Sequence, residues 1–273
     1  MAAIVLMSVI RVSAGWNPLP VLMNGGPDSP YRLSWRTDLT LSASIFALRY
    51  LTLKVPSNVT AYTADEIDTR FSRDDVNAID RPFIGPYHDF NSTISETSNG
   101  IIWCLPFGLL LADGPRRDIL KIGVMFLQVQ FMYPIVTRAI NPFFARKRPY
   151  FYSSEENMDR RLSAWAQLSF LSGHTNFGFA FAVFFANTYS AYFPESRLKP
   201  AVWALSLGLA ATTAVFRVAA REHFPTDIAP AIATGTFIGW FVPFVHRKEH
   251  KRISLHPYTD LKGRTGFRVE TGL

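Results

Sequence analysis

Apolar stretches alternate along the chain with polar, turn-rich blocks. A membrane-spanning helix needs about 20 mostly apolar residues, and six stretches come near that length. They cover residues 38–55, 101–112, 119–140, 174–193, 200–218 and 225–245. Arg49 and Lys54 weaken the first, and the second is short unless it begins a few residues earlier, so either could be a buried helix instead. The last four are long and hold few polar residues. The pattern predicts an all-α integral membrane bundle of about six transmembrane helices.

Composition strengthens this reading. Apolar residues make up 48% of the chain and charged residues only 18%, against about 25% in soluble domains. The single cysteine, Cys104, excludes an intramolecular disulfide framework and a cysteine-based zinc site. Its setting, I-I-W-C-L-P-F, predicts a buried, inert thiol. The net charge of +7 is not laid out as a basic stripe interleaved with aromatics, so nucleic acid is not an expected partner. The excess reads as membrane topology plus an anion site.

Loop charge sets the expected orientation. The block H-R-K-E-H-K-R follows the sixth stretch and places residues 253–273 in a cytoplasmic tail. The basic turn D-G-P-R-R-D-I-L-K fits the same side, and residues 57–97, with eight acids and three arginines, fit the outer side. Counting back from the tail brings the loop after the third stretch, His174 and the loop around His223 to the outer face. Residues 1–36 form a separate N-terminal segment. It is signal-like, with an apolar start and V-S-A before Gly15, although it lacks a positive leading region. Six spans and an inside C-terminus put the N-terminus inside, against cleavage. Asn24 to Pro30 reads as a turn-rich linker.

Three polar blocks carry candidate chemistry: R-K-R-P ending at Pro149, S-F-L-S-G-H ending at His174, and R-V-A-A-R-E-H-F-P-T-D. In the third block, His223 is the candidate nucleophile. Imidazole attacks phosphorus when neutral and held by a partner on its other nitrogen. Pro225 suits a first helical turn, so Asp227 falls near a helix start, where its carboxylate can reach back to the His223 ring. The plainer reading is an interfacial histidine and an aspartate that serves the helix N-terminus. His174 is the candidate general acid. Ser172 and Gly173 precede it at a helix start whose N–H groups attract anions, and Gly173 admits close approach of a phosphate. Alone, S-G-H is more simply a helix cap. Arg148 and Arg217 are candidate phosphate clamps, since guanidinium binds phosphate bidentately. Arg146 reads as a headgroup-facing charge, and Lys147 fits either role. The inventory suits phosphoryl transfer through a histidine, with neither metal nor cofactor required.

In this order the blocks resemble the type 2 phosphatidic acid phosphatase superfamily of membrane phosphatases, over residues 119–247. Arg148-Pro149 match the end of its first motif, whose lysine position holds Asn141. That amide can still donate a hydrogen bond; Arg138, about one helical turn earlier, and Lys147 are the candidate replacements for the lysine. Ser172, Gly173 and His174 match the second motif, with Leu171 in place of proline. Arg217, His223 and Asp227 match the third, with Phe216 in place of serine. The resemblance implies a six-helix bundle with its site at the outer membrane face, formed by a phosphatase domain over residues 37–252. It implies that His223 forms a phosphohistidine, that Asp227 orients it, and that His174 protonates the leaving group. Arg148, Ser172, Gly173 and Arg217 would hold the phosphate, with Asn141 and Lys147 as candidate additions. The expected partners are a phosphorylated lipid and the membrane, in a bacterial inner membrane with the site facing the periplasm. The alternative expectation is a non-catalytic lipid-phosphate binding or transport protein that keeps the pocket.

Overall fold

The computed structural model describes residues 29–54, 59–248, 253–259 and 265–271. The signal-like segment, residues 1–36, lies outside them up to residue 28. The helices are Trp35–Lys54 (α1), Ala64–Arg70 (α2), Asp89–Gly108 (α3), Asp113–Arg117 (α4), Ile119–Phe144 (α5), Met158–Leu162 (α6), Gly173–Tyr192 (α7), Lys199–Ala219 (α8) and Pro225–His246 (α9). Each of the six long ones overlaps one of the six apolar stretches, and the chain is an all-α helical bundle. The tail adds an antiparallel hairpin of Ile253–Thr259 (β1) and Thr265–Thr271 (β2), with Ile253 opposite Thr271.

Among the described residues, α5, α8 and α9 are long and apolar enough to cross a membrane. The fourth stretch, α7, was expected to join them and does not. It packs against α9, α8, α3 and α5, so its outer faces meet protein rather than lipid. Such a central helix tolerates the buried polar residues Thr175, Asn176, Asn187 and Thr188. The second stretch also differs. Helix α3 starts at Asp89, well before residue 101, because Ser92, Ser95, Ser98 and Asn99 face inward and are buried. Cys104 is a further correction, since it is exposed. On a bundle facing lipid, an apolar run marks the outer surface as readily as the core.

Helix α9 approaches α7 closely through Gly235 and Gly239. A Cβ on Gly235 would lie 2.3 Å from the Asn176 carbonyl oxygen, and one on Gly239 would lie 2.3 Å from that of Ala180. This is the small-residue spacing that lets membrane helices pack backbone to backbone. Because 235 meets 176 and 239 meets 180, the two helices run parallel and both start at the same end of the bundle. At the other end, His246 Nε2 lies 2.5 Å from Asp38 Oδ1, and Arg32 N donates to the His246 carbonyl at 2.9 Å. Those contacts tie the end of α9 to the start of α1. Asp118 gathers Lys121 Nζ at 2.6 Å and Tyr192 Oη at 2.9 Å at that same end.

Candidate active site

The starts of α3, α7 and α9 and the ends of α5 and α8 converge at one end of the bundle. A cavity of about 650 Å³ opens there, lined among others by Arg148, Gly173, His174 and His223. Three polar blocks far apart in sequence are thereby brought together. The helices that carry them explain how. Ser172 caps α7, its Oγ accepting from Thr175 N at 3.4 Å, which sets His174 in the first turn. Pro225 opens α9, and Asp227 Oδ2 accepts from Phe224 N at 2.8 Å, closing that N-terminus. The short loop between α8 and α9 holds His223.

His223 is 2% exposed, and its Nδ1 lies 2.7 Å from the Ser169 carbonyl oxygen. A carbonyl accepts only, so Nδ1 carries the proton and Nε2 keeps its lone pair. Burial drives the His223 pKa well below the usual histidine range, with Arg148, Arg217 and His174 adding to the effect. A neutral ring with a fixed tautomer is what nucleophilic attack requires. The direct bond expected from Asp227 is not made, because its Oδ2 lies 3.9 Å from Nδ1. Asp227 acts one step removed: its Oδ2 accepts from Ser169 Oγ at 2.6 Å, and Ser169 presents the carbonyl that holds the ring. A histidine–carboxylate spacing in sequence cannot reveal a backbone carbonyl standing between them.

Arg146, expected to face the headgroups, instead turns inward onto two carboxylates. Its guanidinium pairs with Asp227 and, at 2.5 Å, with Asp80, and it donates to Thr226 Oγ1 at 2.7 Å. Asp80 is fully buried and also accepts from Thr226 Oγ1 at 2.6 Å. This network ties the loop before α3, the end of α5 and the start of α9 into one support beneath His223. Nothing in the spacing of Asp80 announced it.

Arg217 is 3% exposed near the end of α8. Its Nη1 donates to Ser92 Oγ at 3.2 Å and Ser95 Oγ at 3.3 Å. The polar start of α3 is therefore the partner that a charge in an apolar helix demands. Glu222 bridges the two arginines. It pairs with Arg148 and lies 3.1 Å from Arg217 Nη2. The Nε atoms of Arg148 and Arg217 are buried without a hydrogen-bond partner among the described residues. Sequence reasoning missed Glu222, Ser92, Ser95, Arg146, Asp80 and Ser169.

Of the expected site residues, Lys147 and the Ser172 hydroxyl are engaged elsewhere. Lys147 sends its ammonium over the rings of Phe71, Tyr62 and Phe151, at 4.9, 5.4 and 6.0 Å, so cation–π attraction holds it away from His223. The Ser172 hydroxyl is fully buried and bonds Thr175 Oγ1 at 3.0 Å, which makes it a cap. Asn141 lies in α5, and its side chain is outside the described part. Among the described residues no cluster of three or more histidine, cysteine or acidic side chains has the form of a metal site.

The PAP2 superfamily model matches residues 119–251. A lipid A 4'-phosphatase from Porphyromonas gingivalis is 28% identical over 138 residues, half of this chain and 55% of that protein. The chain thus spans about half the length of that relative. A crystal structure of a transmembrane PAP2-type phosphatidylglycerolphosphate phosphatase from Bacillus subtilis superposes with a TM-score of 0.45 at 16% identity, over 76% of this chain and 94% of that one.

Proposed function

The chain belongs to the PAP2 superfamily of membrane phosphatases, and on that premise we propose that it hydrolyses a phosphate monoester or pyrophosphate of a lipid through a phosphohistidine. Nε2 of His223 attacks phosphorus in line as the bond to the leaving oxygen breaks. Burial, followed by Arg217 and Arg148, pushes the His174 pKa down to about 3. The negative charge of a phosphate bound beside the ring counters this, and the protonated His174 then gives the leaving oxygen its proton. Water then attacks the phosphohistidine while His174 takes a proton from it, which frees inorganic phosphate and restores both histidines. Arg148 and Arg217 stabilise the charge on the phosphoryl oxygens. The lipid body rests against Trp103, Trp165, Leu168, Leu171 and Phe177, which line the same cavity. The site faces the periplasm of a bacterial inner membrane.

The observation that carries this reading is a buried, tautomer-fixed His223 sharing one cavity with His174 and Arg148. The unpartnered Nε donors of the two arginines support it. Glu222, held between those arginines, favours one second reading: a lipid-phosphate binding protein without turnover.

Phosphate release from phosphatidic acid in detergent micelles separates the two. The purified protein should release phosphate, be inhibited by vanadate and keep its activity in a chelator, since arginines supply the positive charge. His223→Ala should lower the rate by on the order of a thousandfold or more with thermal stability retained. Asp227→Asn should lose less, because the Ser169 carbonyl still holds the ring. Near-normal turnover by His223→Ala would remove the nucleophile assignment, and binding without release would establish the second reading.

A further inference from the structure

Two arginines on neighbouring helices near the cavity remain without a counter-charge. Helices α1 and α5 run side by side and parallel. Gln128 Nε2 donates to Ser42 Oγ at 3.2 Å, and the rings of Phe46 and Phe131 lie 4.8 Å apart. From that ring pair, Arg49 lies three residues on and Arg138 seven. At about 1.5 Å per residue their levels differ by roughly 6 Å, within reach of two long side chains. Arg138 and Thr52, three residues beyond Arg49, line the cavity that holds Arg148, His174 and His223.

Neither guanidinium has a carboxylate partner among the described residues; Arg138 is exposed to the cavity side, and the half-buried Arg49 has its Nη1 buried with no hydrogen-bond partner among those residues. The one carboxylate lining the cavity, Glu96, lies toward Arg217 at 3.9 Å. Two guanidiniums this close repel one another, and the buried, unpartnered end of Arg49 adds to that cost in a membrane bundle. Such a pair is stabilised by an anion, and guanidinium favours phosphate oxygens. Tyr133 and Trp165, which line the same cavity as Arg138, supply a polar tip and an apolar face suited to a headgroup.

We infer that Arg49 and Arg138 form a second anion subsite, which holds a second phosphate group on the same lipid whose phosphate faces His223. The inference rests on the phosphatase reading and narrows its substrate to lipids with two phosphate groups within one headgroup.

The test compares two lipids in mixed micelles. Phosphatidic acid carries only the ester that would be cleaved, whereas phosphatidylglycerol phosphate carries a phosphodiester as well. The parent protein should prefer the second lipid. In Arg138→Gln and Arg49→Gln that preference, read as the ratio of kcat/KM values, should fall about tenfold, mainly through KM, as loss of one charge-assisted hydrogen bond implies. Arg138→Lys should keep most of it. An equal loss on both lipids would overturn the inference and place Arg138 on the scissile phosphate. So would an unchanged ratio. If added phosphatidylglycerol alters phosphatidic acid turnover in the parent but not in Arg138→Gln, the subsite holds a separate lipid, and the same-molecule inference fails. Phosphatidic acid hydrolysis by the parent reports on the phosphatase reading alone. Should neither lipid be hydrolysed, thermal-shift titrations of both read the same preference as affinity, and equal shifts would overturn the subsite.

Discussion

Glu222 is the side chain whose position most alters the chemistry of the site. It immediately precedes His223, is 9% exposed, and lies between Arg148 and Arg217, the two arginines proposed to hold phosphate. Two buried guanidiniums repel one another, and a carboxylate between them compensates both in the resting protein. An incoming phosphate competes for the same donors. Glu222→Gln keeps the shape and removes the competing charge, so vanadate should bind about tenfold more tightly, which corresponds to about 1.4 kcal/mol. Inhibition of phosphate release by vanadate measures this, and weaker inhibition would mean that Glu222 holds the arginines in place for phosphate. The same loop marks the limit of sequence reading at this scale. Arg217, His223 and Asp227 were legible because their spacing is fixed by a helix end, a short loop and a helix start. The bond that holds His223 was not, because it comes from the Ser169 carbonyl, and a backbone acceptor has no residue signature. Arg146 was read as a surface charge because its two carboxylate partners, Asp80 and Asp227, lie 66 and 81 residues away in sequence.

At the scale of elements, periodicity and length located all six long helices, since each apolar stretch had to cross or line the bundle. It misplaced the start of α3, whose inward face is serine and asparagine. Those groups are polar because they serve Arg217 and Thr213: Ser92 and Ser95 accept from the arginine, and Asn99 Oδ1 accepts from Thr213 Oγ1 at 3.0 Å. Hydropathy reads such a segment as loop. The register of α9 on α7 was equally hidden, although it decides whether His223 and His174 face each other. Gly239→Ala would place a methyl group 2.3 Å from the Ala180 carbonyl oxygen and 2.9 Å from Phe184 N. Backbone cannot yield there as a flexible side chain could, so α9 must move outward. We expect a loss of about 1–3 kcal/mol of stability, read as a lower midpoint of thermal unfolding in detergent. Phosphate release should fall as well, because both helices start at the site. Gly208→Ala on α8, where a Cβ meets nothing within 4 Å, should leave the midpoint unchanged.

At the scale of the whole molecule, every group assigned to the chemistry lies at one end of the bundle, and the ends differ in charge. The end opposite the cavity gathers Arg32, Arg36, Arg116, Arg117, Arg247 and Lys248 around the start of α1, α4 and the end of α9. Cytoplasmic loops carry an excess of such residues, so this end should face the cytoplasm and the cavity the outside. The segment that leads to the cavity, with α2 and its exposed Asp65, is acidic. Orientation can be read without disturbing the fold by single cysteines on exposed positions, with Cys104 replaced by serine. Asp65→Cys should react with a membrane-impermeant maleimide in intact bacterial cells whose outer membrane admits the reagent. Arg116→Cys should react only after the inner membrane is opened. Because Asp65 and Arg116 lie at opposite ends of one bundle, the two results must be opposite to each other for the protein to span the membrane as a unit. Labelling of Arg116→Cys alone in intact cells would turn the molecule over and place phosphate release in the cytoplasm, where a periplasmic lipid could not reach His223. Labelling of both would contradict the spanning arrangement of α5, α8 and α9.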